Sequence, residues 1–81
     1  MRCAVMSVAG QTLAFGRLCL EADETGQLCL VLRTDRGTRL VGGPVGADGD
    51  LGEASQQLFR QILRHYGVDG VRLSIQPGRP A

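Results

Sequence analysis

The chain has 81 residues and a net charge of +1, so it is long enough for one domain but lacks the strong positive field of a general nucleic-acid or membrane binder. Its three cysteines have no metal-ligand spacing, and no apolar run approaches the roughly 20 residues of a membrane span. These features predict a reduced, cytoplasmic protein with no membrane segment, metal or cofactor. A domain this small buries only about 60% of its unfolded surface, which favours extra burial in a homodimer.

Four strands are predicted in the first half of the chain, at residues 1–8, 11–22, 27–33 and 38–41. Gly16 is a candidate β-bulge within the second of them. Aromatic residues are scarce in the chain, and tryptophan is absent, so we expect an aliphatic core.

The turns between these strands predict their register. Residues 23–26 and 35–37 combine aspartate with glycine, which is typical of a type I turn followed by a glycine bulge. In that register Arg17 lies opposite Arg33, and Arg33 lies opposite Arg39. A longer first loop would instead place Cys19 opposite Cys29.

Two sets of residues alternate in phase along the strands, and a strand sends successive side chains to opposite faces. The even positions are leucines, namely Leu18, Leu20, Leu28, Leu30, Leu32 and Leu40. The odd positions form a mixed surface that contains Leu13, Phe15, Arg17, Cys19, Glu21, Cys29, Val31, Arg33, Arg39 and Val41. One face of the predicted sheet is therefore leucine-rich and the other carries the arginines.

A single helix is predicted after a flexible, glycine-rich stretch at residues 42–49, in which Gly42 and Gly43 form a hinge. Asp50 as N-cap and Glu53 three residues later make a capping-box pattern, and Gly67 is suited to end the helix. Apolar residues recur between them at helical spacing: Leu51, Ala54, Leu58, Phe59, Ile62, Leu63 and Tyr66.

A last strand follows at residues 71–76, where Val71, Leu73 and Ile75 alternate with polar residues. The predicted fold is α+β, with the order β-β-β-β-α-β and a mostly antiparallel five-stranded sheet. The helix packs on the leucine face through Leu58, Phe59, Ile62 and Leu63. Residues 1–76 form the one domain and residues 77–81 a flexible C-terminal tail, while the position of the last strand in the sheet stays open.

The face without the helix is the candidate binding surface. Its predicted binding residues are Phe15, Arg17, Val31, Arg33, Arg39 and Arg72. We expect a small non-enzymatic interaction module, a homodimer or an accessory subunit, that uses this face to bind an acidic protein partner. Two further interpretations stay open: two copies pack face to face through Val31, or the arginines simply lie over apolar neighbours and meet nearby acids.

Binding of single-stranded nucleic acid on the same face is the alternative function. The order of four strands followed by a helix resembles the PUR and Whirly-type folds, in which the sheet carries bases and phosphates. Such sheets use aromatic residues for stacking, and here Phe15 is the aromatic residue that the predicted face offers.

No set of catalytic residues is visible in the sequence. The stretch from Gly42 to Val68 resembles the Nudix box in outline, but residues 60–65 lack the glutamates that bind magnesium in that family. His65 suits a surface position near the carbonyl groups at the end of the helix. We therefore expect no enzymatic activity.

Overall fold

The computed structural model describes residues 1–76, so the predicted tail at residues 77–81 lies outside the described residues. The elements in chain order are β1 (Arg2–Ser7), β2 (Thr12–Ala22), β3 (Leu28–Thr34), β4 (Arg39–Pro44), α1 (Gly52–Tyr66) and β5 (Val71–Ile75). The strands form one antiparallel sheet in the order β4-β3-β2-β1-β5. The predicted α+β fold is confirmed, and the open question of the last strand is answered: β5 pairs with β1 at the edge of the sheet.

The same turn joins each of the first three pairs of strands. A backbone N–H···O bond of 2.8 Å closes each turn, from Ser7 to Gln11, from Asp23 to Gln27 and from Thr34 to Thr38. The glycine before the second strand has φ of 85–89° in all three, a value that a residue with a Cβ rarely adopts. These turns confirm the predicted register of β2, β3 and β4, and exclude the longer loop with Cys19 opposite Cys29.

A β-bulge at Leu13 sets which side of β1 faces the core. Met6 pairs with Thr12 but Val5 pairs with Ala14, which leaves Leu13 without a partner in β1. The bulge shifts the register by one residue, so that Cys3 and Val5 turn towards the core. Leu13 itself packs against the core, and its predicted place on the opposite face was wrong. The predicted bulge at Gly16 was also wrong.

The two glycines predicted as a hinge instead belong to β4. Gly42 and Gly43 together lie opposite Leu30, in a second bulge. A Cβ on Gly42 would lie 2.7 Å from the Ala54 carbonyl oxygen, because the helix backbone approaches the strand closely here. Gly42 is therefore required because it has no side chain, and not because its backbone is flexible.

The helix begins one residue later than the capping pattern predicted. Leu51 occupies the N-cap position without a side-chain cap, while the Asp50 carboxylate accepts a hydrogen bond of 2.9 Å from the Gly52 N–H. Glu53 contacts Gln57 and does not close a capping box. At the other end Gly67 adopts the left-handed conformation (φ 64°), as predicted.

The core lies between the helix and the leucine-bearing face. Its buried residues are Cys3, Val5, Leu30, Leu32, Ala54, Leu58 and Ile62. The helix of 15 residues is about 22 Å long and packs mainly along β4 and β3, so it covers only part of the sheet. Leu20 and Leu28 therefore stay 50% and 45% exposed, and Phe59 and Leu63 stay half-buried outside the core cluster.

Candidate functional site: the arginine face

Four arginines form one row across the sheet, on the face opposite the helix, which we call the arginine face. Arg2 of β1 pairs with Arg17 of β2, Arg17 pairs with Arg33 of β3, and Arg33 pairs with Arg39 of β4. The row of Arg17, Arg33 and Arg39 was predicted. Its fourth member is Arg2 and not Arg72, because the bulge at Leu13 turns Arg2 to this face.

Glu21 neutralises one end of the row. Its carboxylate accepts hydrogen bonds from Arg33 through Nε (2.5 Å) and Nη2 (3.0 Å), and from Arg39 through Nε (3.1 Å). The Arg33 guanidinium, and then that of Arg39, lower the pKa of Glu21 from 4.5 to about 2. Glu21 is therefore ionised in the folded protein at neutral pH, and it holds two like charges in adjacent strands together.

Asp35 neutralises the other end. Its two carboxylate oxygens accept hydrogen bonds of 2.9 and 3.1 Å from the Arg2 guanidinium in a bidentate pair. Arg2 lowers the pKa of Asp35, and the nearby charge of Arg17 lowers it further. Sequence reasoning missed this pair because the acid lies in the turn after β3, and because the side of β1 that faces the core depended on the bulge.

Val31 lies beneath the first of these ion-pair groups and has no exposed surface. It lies opposite Cys19 of β2 and Val41 of β4. The pair of Arg33 and Arg39 lies two residues further along the same strands. Both guanidinium groups reach across this row to Glu21, and the Cys19 thiol donates to the same carboxylate at 3.4 Å. Val31 stays a predicted binding residue, although its side chain has no exposed surface to offer a partner in the single chain.

Arg17 differs from the rest of the row. All four arginines are exposed, but no ion pair within residues 1–76 involves Arg17. Phe15 lies two residues before it in β2, on the same face, and is 46% exposed. A hollow of about 290 Å³ adjoins Phe15 and is lined by Thr12, Leu13, Ala14, Phe15, Asp35 and Arg36.

Arg72 shares the arginine face but lies apart from the row. It pairs with Met6 of β1, and its Nη2 is 3.9 Å from the Met6 sulfur. Met6 lies four residues along β1 from Arg2, with three β1–β5 residue pairs between them. The structure therefore brings Arg17, Arg33, Arg39 and Phe15 close together, as predicted, and places Arg72 at the margin of the surface.

The cysteines and the histidine of residues 1–76 do not converge on one site. Burial raises the pKa of the Cys3 and Cys19 thiols, so both are less readily ionised than an exposed thiol. His65 lies on α1, with its ring edge-on to Tyr66 at 4.8 Å between centroids. Within residues 1–76 no three potential metal ligands cluster, and no helix is both long and apolar enough to cross a membrane.

In comparisons with known proteins, no family model, curated protein or solved structure matches this chain. The resemblance to the PUR and Whirly-type sheets therefore rests on strand order, and the function has to be argued from the arginine face itself.

Proposed function

We propose that this protein is a small, non-enzymatic interaction module that binds an acidic protein segment on the arginine face, with Arg17 as the main contact. One observation supports this most directly. In a row of four arginines, Arg2, Arg33 and Arg39 each have a carboxylate partner and Arg17 has none within residues 1–76. Like charges in neighbouring strands repel, so a carboxylate supplied by a partner would complete the pattern.

The surroundings of Arg17 suit a protein ligand. The ion pairs on either side hold its neighbours in place, so these neighbours lose little conformational freedom when a partner binds, and the entropic cost falls mainly on Arg17 itself. Phe15 adds a half-exposed aromatic surface beside it, and aromatic and arginine side chains are common anchors in protein interfaces. Arg17 would form a bidentate pair with a carboxylate, while Phe15 packs against the apolar part of the same segment.

Single-stranded nucleic acid is the second candidate, and the exposed Phe15 next to a row of arginines favours it. A nucleic-acid platform, however, needs several stacking aromatics and several unpaired cations. Here the other aromatic residues of the described chain lie on α1, and three cations of the row already bind carboxylates. An acidic protein segment fits this charge distribution better.

The test uses two fluorescent probes, a poly-glutamate peptide and an oligo-dT strand, titrated with the wild-type protein. Arg17→Ala should weaken the binding of poly-glutamate about tenfold, the effect of losing one charge-assisted hydrogen bond of about 1.4 kcal/mol. Arg60→Ala is the matched control, since it removes the same charge from the exposed side of α1. The affinity of Arg60→Ala for poly-glutamate should stay near that of the wild type.

Three results would contradict the proposal. In the first, neither probe binds. In the second, Arg17→Ala and Arg60→Ala weaken poly-glutamate binding equally, which would indicate that net charge, and not a specific site, binds the peptide. In the third, oligo-dT binds more tightly than poly-glutamate, loses affinity steeply with salt and depends on Arg17, which would replace the protein ligand by nucleic acid.

A further inference from the structure

The two edge strands of the sheet are built differently. At one edge β4 contains the bulge at Gly42 and Gly43, ends at Pro44 and has α1 packed against it. These features prevent an edge from pairing with another chain. At the other edge β5 has five regular residues without a bulge or proline, and its pairing with β1 is uninterrupted.

The outer side of β5 presents backbone groups that pair with no other strand of residues 1–76. Gln76, directly after β5, donates its N–H to the Arg2 carbonyl oxygen of β1. Because hydrogen-bonded pairs alternate along an antiparallel ladder, the even-numbered residues of β5 direct their backbone groups towards β1. Met1 and Leu18 exchange both backbone bonds on the other side of β1, consistent with this alternation. The N–H and C=O groups of Val71, Leu73 and Ile75 therefore point outward from the sheet.

We propose that β5 is a homodimer interface, at which a second copy of this chain pairs antiparallel with β5 about a two-fold axis at Leu73. The outward backbone groups match in this register. Leu73 exchanges both hydrogen bonds with Leu73 of the second copy, and Val71 exchanges both with Ile75. Six backbone hydrogen bonds would join two five-stranded sheets into one continuous sheet.

The side chains match in the same register, which is the argument for a second copy instead of another partner. On the helix side Val71 lies opposite Ile75, and Leu73 lies opposite itself, so every contact is apolar. On the arginine face Arg72 lies opposite Ser74. A shift of the register by two residues in one direction would instead place Arg72 opposite Arg72, and like charges directly opposite are destabilising.

The exposed apolar surface at this edge supports the interface. Ile75 is 46% exposed, and Val71 and Leu73 are only partly buried by the helix of their own chain. Pairing would place each of these side chains beside an apolar neighbour from the second copy. This proposal is independent of the arginine face, and Arg17→Ala should leave the dimer intact.

Sedimentation of the full chain tests the proposal. The wild-type protein should sediment at twice its chain mass of 8.6 kDa, and Ile75→Lys at the mass of one chain. The lysine replaces a half-exposed residue, so the monomer should still fold, which circular dichroism checks. Val41→Lys is the matched control, because Val41 is a partly exposed apolar residue on the other edge strand, and it should remain a dimer.

A cross-link tests the register. In a hydrogen-bonded antiparallel pair the Cα atoms lie about 5.5 Å apart, within the range for a disulfide. Leu73→Cys should therefore form a covalent dimer on mild oxidation, whereas Val41→Cys should not. Four results would each overturn the proposal. The wild-type protein is monomeric, or Ile75→Lys folds and stays a dimer. Alternatively, Val41→Lys dissociates the dimer, or Leu73→Cys folds but does not cross-link.

Discussion

Val31 and Leu32 are neighbours in β3 that point to opposite faces of the sheet, and neither has any exposed surface. Leu32 belongs to the core cluster, to which α1 and all five strands contribute. Val31 lies on the face opposite the helix, in the row of the sheet that the hydrogen bonds from Arg33 and Arg39 to Glu21 cross. The two positions show that a single-layer face can bury an aliphatic side chain when long charged residues bond to one another across it.

The helix-covered side should carry most of the stability. Leu32→Ala removes a large side chain from a closely packed site that cannot collapse, and should lower the free energy of unfolding by about 2–5 kcal/mol. Urea denaturation followed by circular dichroism measures it. A loss no larger than that of Val31→Ala would show that the two faces contribute equally.

The close approach of the helix to β4 should give the next largest effect. Gly42→Ala adds a Cβ at 2.7 Å from the Ala54 carbonyl oxygen and the Leu58 Cβ, so that strand or helix must move. Overpacking of this kind destabilises by about 1–3 kcal/mol. Gly52→Ala is the control, since its Cβ would approach only the Asp50 carboxylate, at 3.2 Å, and it should not destabilise the fold. Equal urea midpoints for the two variants would rule out the close approach.

On the arginine face Val31→Ala should have a smaller effect than Leu32→Ala. Two buried methyl groups at about 0.8 kcal/mol each give about 1–2 kcal/mol, and the flexible arginines above can settle into the space. Val41→Ala, at a partly exposed position of the same row, should lower the urea midpoint less. Equal effects would mean that the ion pairs do not cover Val31.

The smallest effect should be the pH-dependent one at Glu21, because solvent screens the ion pairs that it makes with two exposed arginines. Its pKa is about 2 in the folded protein and 4.5 ordinarily, so its ionised form stabilises the fold fully above about pH 5. That contribution is lost as the pH falls through this range towards 2. Glu21→Gln should therefore be less stable than the wild type at pH 7 and approach it near pH 2.

The control for this prediction is Glu24→Gln, which removes a charge from the turn between β2 and β3 without removing an arginine partner. Its stability should follow the wild type across the same pH range. If the difference between Glu21→Gln and the wild type stays constant from pH 7 to pH 2, the carboxylate does not stabilise the face through its charge.

Local patterns in the sequence were sufficient for most of the fold. The alternation of leucine with arginine and valine defined the strands, and the aspartate–glycine turns set the register of β2, β3 and β4. The row of Arg17, Arg33 and Arg39 follows directly from that register. Helical spacing and Gly67 located the helix, because these signals depend on residues close together in the chain.

The structure decided what depends on distant residues. The bulge at Leu13 placed Arg2 on the arginine face and Cys3 in the core. The sequence of β1 or of β2 alone does not indicate at which residue such a bulge forms. The burial of Val31 depends on Glu21, Arg33 and Arg39, which come from three strands and meet only after the sheet has formed.

The sequence by itself determined the element order, the two chemically distinct faces and most of the arginine row, since side-chain alternation and turn type are local properties of the chain. The tertiary structure decided which arginine of the row lacks an ion pair within residues 1–76, which apolar residues stay exposed and which edge strand is free of a bulge. The ion pairs depend on residues from different strands and turns that meet only in the folded sheet, and the exposure of the leucines depends on where one helix of 15 residues lies on a sheet that is wider than the helix can cover.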